Sequence, residues 1–167
     1  VREPLEVIAG FLRSIGLNVR FAPLASPAGL PGIAAECGEL IVEADRLVSP
    51  GDLLHEAGHL AVMSPPRRRA ARGRFDASQA EEMAAMAWSY AAALHLGLDP
   101  ALVFHEYGYG EGGGGWVVEA FIRGGTPGVP GLCWLGLTSH AIGGTVVPDA
   151  VYPTMIGWLN EIENELR

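Results

Sequence analysis

Five residues, His55-Glu56-Ala57-Gly58-His59, carry the chain's clearest chemical signal. They form a complete H-E-x-x-H. On a helix, side chains at i and i+4 share a face, with Cβ atoms about 5–6 Å apart. Two imidazoles at that spacing reach one tetrahedral zinc ion at Zn–N distances of about 2.0–2.1 Å. Glu56 follows the first histidine, where it can stand beside an activated water as general base without being a ligand. The flanking Leu53, Leu54, Leu60 and Val62 give the helix an apolar side to bury, and Ser49-Pro50 supplies an N-cap and an N1 proline. A helix from there to about Met63 is expected, ending before Pro65-Pro66.

A catalytic zinc takes three protein ligands and leaves one position open. A third histidine in an H-x-x-G-x-x-H continuation is ruled out, because His59 runs on into Leu-Ala-Val-Met-Ser-Pro. A carboxylate from a following helix is the other common solution. Glu81 and Glu82 stand 22 and 23 residues beyond His59, at the head of an alanine-rich stretch expected to be helical from Asp76 to Leu96. Ser78-Gln-Ala-Glu81 fits a capping box, in which Glu81 reaches back to the Ser78 amide. Glu82 then points ~100° away and is the free carboxylate, on a stripe continued by Met86, Ser89 and Ala93. Glu81, Asp76, Glu106, Glu111 and Asp149 stay open as alternatives. Donors for a developing oxyanion are sought in Tyr107, Tyr109 and His140, which lie in or near glycine-rich segments. His95, ~220° round the helix from Glu82, should not join the site, and His105 has no evident role.

These residues need a scaffold. With 167 residues, half of them apolar and few charged, the chain can bury a core as a single domain. Residues 1–97 would form a catalytic core, and 98–167 a C-terminal extension or lid. A net charge of −8 argues against nucleic acid as a partner. No apolar run is long enough for a membrane span, and no basic-then-apolar leader is seen. Two cysteines, Cys37 and Cys133, make no disulfide framework and read as buried thiols. A cytoplasmic setting is expected.

The pattern predicts an α+β, mainly helical fold. A first helix spans Pro4 to Ile15, and a short strand Leu17 to Phe21. Pro23 to Gly32 is a loop, and a hairpin turns at Gly38 between residues 33–36 and 39–43. Residues 67–74, with five of the eleven basic side chains, read as a mobile solvated loop. A short helix from Asp99 to about Glu106 and a glycine-rich loop over 107–115 follow. Residues 116–123 are expected to be helical, Thr126 to Gly131 to turn, and 132–137 to be buried. Tyr152-Pro153 is expected to open a last amphipathic helix with Met155, Ile156, Leu159, Ile162 and Leu166 inward. The four tryptophans are expected in the core.

The zinc motif and the helix after it resemble gluzincin-type metallopeptidases, and most closely the compact ImmA/IrrE family of bacterial metallopeptidases. In that family a leading helix and a small sheet precede the H-E-x-x-H helix. A second helix then carries a glutamate followed by small and apolar residues. The corresponding run here is Glu82-Met-Ala-Ala-Met-Ala-Trp88, with Ala84 where the family usually has Asn and Met86 where it has Phe. The resemblance covers residues 1–96. It implies His55, His59 and Glu82 as ligands, Glu56 as base, Zn²⁺ as cofactor, and a limited intracellular protein or peptide as substrate. Two other classes fit the motif: a zinc-binding regulatory protein that cleaves nothing, and a zinc hydrolase of a small amide.

Overall fold

A computed structural model describes residues 2–24, 30–108, 113–139, 151–163 and 166. The fold is α+β and mainly helical. Helix α1 (Arg2–Ser14) buries Leu5, Ile8, Ala9, Phe11 and Leu12, the stripe that its apolar spacing requires. Strand β1 (Val19–Phe21) lies parallel to β3 (Glu39–Val42), which pairs antiparallel with β2 (Ile33–Glu36). The β2–β3 hairpin turns through Cys37 and Gly38, at φ 52° and 80°. Both central residues of such a tight turn need φ > 0. Cys37 is exposed there, where a buried thiol was expected.

Helix α2 (Asp52–Val62) carries the H-E-x-x-H. It starts two residues later than the Ser49-Pro50 signal suggests, because Ser49 has other work. Its Oγ accepts from the Gly51 amide and donates to the Leu102 carbonyl, tying the turn at Pro100–Leu102 to the helix start. A Cβ on Gly51 would meet that carbonyl oxygen at 2.1 Å.

The arginine-rich stretch is not a loop. Residues Pro65–Ala70 form helix α3, and Arg72–Gly73 form β4, an edge strand paired with β2. The guanidinium of Arg68 donates to the carbonyls of Leu60, Met63 and Asn160. It thereby satisfies acceptors that the end of α2 leaves open.

Helix α4 (Gln79–His95) is buried along most of its length, as its alanine-rich composition demands. It packs against α2 at the small residues. A Cβ on Gly58 would stand 2.8 Å from the Ala85 carbonyl oxygen and 3.1 Å from Ser89 Oγ. Helices α5 (Gly115–Ile122) and α6 (Val129–Trp134) follow. Helix α6 begins within the segment expected to turn, and takes up the first half of the buried run whose type the sequence left open. One hydrophobic cluster runs from Leu5 through Trp88 to Leu137. Trp88 is fully buried and Trp158 half-buried, but Trp116 and Trp134 are 55% and 51% exposed, against expectation. No helix among the described residues is long and apolar enough to cross a membrane.

Among the described residues, the expected last helix does not form. Residues 151–163 run as irregular chain. Their amides bond to other segments instead of to a helical ladder: Tyr152 N to Ser139 O, Ile156 N to Leu137 O, and Asn160 N to Ala61 O. Ile156, predicted inward, is 61% exposed. Asn160 is fully buried, and its Nδ2 donates to the Val62 carbonyl.

The α2–α4 approach makes a first prediction. Gly58→Ala gains ~1 kcal/mol of helix propensity but overpacks a backbone contact at a cost of about 1–3 kcal/mol. A net loss of stability is expected in denaturant melts, together with weaker metal binding.

Candidate metal centre

On α2, four residues of separation bring the two histidines to one face. Their Nε2 atoms lie 3.2 Å apart, with the rings edge to face at 84°. Helix α4 supplies the third group. Glu82 Oε1 stands 3.4 Å from His55 Nε2, and Oε2 stands 3.3 Å from His59 Nε2. These three residues form a group that could hold a metal ion. The spacing fits such an ion: ligand atoms 2.0–2.1 Å from a tetrahedral centre lie ~3.3–3.4 Å from each other. The donor set, two nitrogens and one carboxylate, suits a first-row divalent metal.

Burial sets the protonation states. It is the main reason that the pKa of His55 falls to about 3 and that of His59 to about 4, with the neighbouring imidazole adding to the effect on His55. Both rings are therefore neutral near pH 7, the form that ligates. Burial also lifts the Glu82 carboxyl. Glu56 is raised to about 7, first by burial and then by the nearby Glu82 and Asp52 carboxylates, while Arg74 opposes the rise. Such a group is poised to exchange a proton near neutrality.

Glu81 is kept out of the centre. It completes the capping box with Ser78, each side chain engaging the other's amide at 2.9 and 3.2 Å, and it pairs with Arg67. The capping box expected of Ser78 and Glu81 is formed. Asp76 lines the same cleft without joining the three-residue group. Glu106 neither joins the three-residue group nor lines the cleft. Tyr107, one of the donor candidates, is 78% exposed and lines a different cavity. Tyr109, His140, Glu111 and Asp149 lie outside the described residues. His95 packs its ring on Phe11 and Trp158, away from the centre.

The centre opens into a cleft of about 700 Å³, lined among others by Asp52, Glu56, Arg74, Phe75 and Gly108. Asp52, Arg74 and Phe75 went unmarked in the sequence. Asp52 is buried, takes a bond from the Ser49 amide at 3.1 Å, and contacts His105 Nε2 at 2.8 Å. This gives His105 the partner it lacked on paper. Asp52 precedes Glu56 by one helical turn, so the i, i+4 rule could have found it. Arg74 and Phe75 follow β4, and only the fold brings them to the cleft. The Phe75 ring lies 5.4 Å from that of His59, whose Nδ1 is buried without a hydrogen-bond partner among the described residues.

Compared with known proteins, the chain matches no family model, no curated protein and no solved structure.

Two predictions follow from this geometry. In Zn²⁺ titrations, Glu82→Ala should lose affinity well beyond the ~10–100-fold typical of an outer-shell partner. Glu81→Ala should retain the metal while losing about 1–2 kcal/mol of stability as its cap is removed. The pH dependence tests Glu56. Its folded pKa, about 7, exceeds its ordinary 4.5, so the folded state holds the proton more tightly. The stability this contributes is complete below about pH 4.5 and is lost as pH rises through about 7. Metal-free Glu56→Gln should therefore gain on the wild type across that window in denaturant melts. A constant difference would contradict the raised pKa.

Proposed function

We propose that the chain is a zinc-dependent peptidase of the gluzincin type, most similar to the ImmA/IrrE family, that hydrolyses a limited protein or peptide substrate. The observation that carries the reading is the spacing of the three donor atoms of His55, His59 and Glu82 next to a carboxyl, Glu56, that is not among them. A purely structural site would not call for that carboxyl. The cleft's size suits a short stretch of peptide.

Zinc, when bound, supplies a Lewis acid that polarises a carbonyl and makes water a nucleophile near neutral pH. The residues supply the rest. His55 and His59 present neutral nitrogens, and Glu82 a balancing negative charge. Glu56 takes the proton of the attacking water on its carboxylate and returns it to the departing amide nitrogen. A pKa near the working pH suits a group that must do both. Phe75 sets an apolar ring beside that of His59.

The test is zinc-loaded protein against a diverse peptide mixture, with fragments read by mass spectrometry. Cleavage should disappear with a chelator and return with Zn²⁺. Glu56→Gln should keep one zinc per chain and lose about 10²–10⁴-fold in rate. Normal cleavage by that variant would remove Glu56 as the base. A wild-type protein that holds zinc and cleaves nothing would favour a non-catalytic metal-binding protein.

A further inference from the structure

The cleft's charges are unevenly committed. Four carboxyl groups line it, from Asp52, Glu56, Asp76 and Glu82, and one guanidinium, from Arg74. Glu82 is turned to the two imidazoles. Asp52 is held by the Ser49 amide and by His105. Glu56 is half-buried in the cleft wall. Arg74 is exposed and makes no hydrogen bond or ion pair among the described residues. Arg67 of the same arginine-rich stretch pairs with Glu81, and Arg68 is tied to three carbonyls; of the five arginines there, Arg74 is the one that lines this cleft.

Position adds to this. Arg74 directly follows the edge strand β4 and precedes Phe75, which packs on His59. Arg74 therefore lines the same cleft as the three-residue centre, and its fork of N–H donors makes no hydrogen bond among the described residues. A planar guanidinium matches a carboxylate through paired, charge-assisted hydrogen bonds. The surrounding acids sharpen the choice. The exposed Asp76 in the same lining disfavours a substrate carboxylate placed beside it.

We infer that Arg74 is a specificity-determining residue that binds a carboxylate of the substrate close to the scissile bond. That carboxylate is either an acidic side chain or the free C-terminus of a peptide. The inference rests on the peptidase reading for its scissile bond, but the carboxylate preference can be tested without cleavage.

The experiment uses zinc-loaded Glu56→Gln protein and matched fluorescent peptides. One pair carries Glu or Gln at each position in turn; a second ends in a free carboxylate or an amide. Affinity is read by fluorescence anisotropy. The carboxylate member of a pair should bind about tenfold more tightly at one position, the strength of one charge-assisted contact. Preference within the first pair identifies an acidic side chain, and within the second a C-terminus. Arg74→Gln should abolish the preference, Arg74→Lys should restore part of it, and Arg74→Glu should transfer it to lysine-bearing peptides. Arg72→Gln, on β4 but lining a different cavity, should leave it intact. Equal binding of both members of every pair, or a preference that survives Arg74→Gln, overturns the proposal. A preference that Arg74 controls, in a wild-type protein that cleaves none of the peptides, upholds the carboxylate site at Arg74 and counts against the peptidase reading instead.

Discussion

The close approach of α2 and α4 is the constraint on which the centre depends. Glu82 can meet His55 and His59 only if two helix backbones come nearly into contact. Gly58, between the histidines, allows this, because any Cβ there would press on the Ala85 carbonyl. On α4, Ala85 and Ser89 keep the facing surface low, and the small Ser89 side chain bonds through Oγ to its own helix at Ala85 O, at 2.6 Å, and across to α2 at Leu54 O, at 3.4 Å. The alanines that make α4 look featureless are the feature: larger side chains would hold Glu82 away from the imidazoles.

One physical cause, burial, gives the centre two opposite chemical characters. Removing water disfavours whichever form is charged. It turns His55 and His59 into neutral nitrogen donors and lifts Glu56 to a pKa at which it exchanges protons near neutrality. The same packing that forms the core thus prepares both ligands and base. Asp52, held by Ser49 and His105, adds negative charge one helical turn before Glu56 and pushes the same way.

The end of α2 shows why the C-terminal pattern misled. A helix terminus leaves carbonyls without partners, and here Arg68 and Asn160 reach in to meet them. Asn160 binds both Ala61 O and Val62 O, and Ile162 N folds back onto Asn160 Oδ1. Trp158 lends its carbonyl to the indole of Trp88. A segment whose polar groups serve neighbours cannot also close its own helical ladder. Its apolar spacing recorded contacts with several elements, not one face of a helix.

Much of the candidate site was legible in the sequence because its determinants are local. The i, i+4 histidines need only a helix, and the choice of Glu82 over Glu81 follows from a capping box four residues long. The first helix, the hairpin and the long buried helix were equally readable, since caps, glycines and periodic apolar residues act over a few residues. What only the tertiary structure decided joins distant segments. Arg74 and Phe75 reach the cleft because β4 pairs with β2; His105 meets Asp52 because the turn at Pro100–Leu102 packs on Gly51; Arg68 is drawn from an apparent loop into the end of α2. None of these has a periodic signature. Each is set by which surfaces meet when the core closes, and a linear pattern does not hold that information.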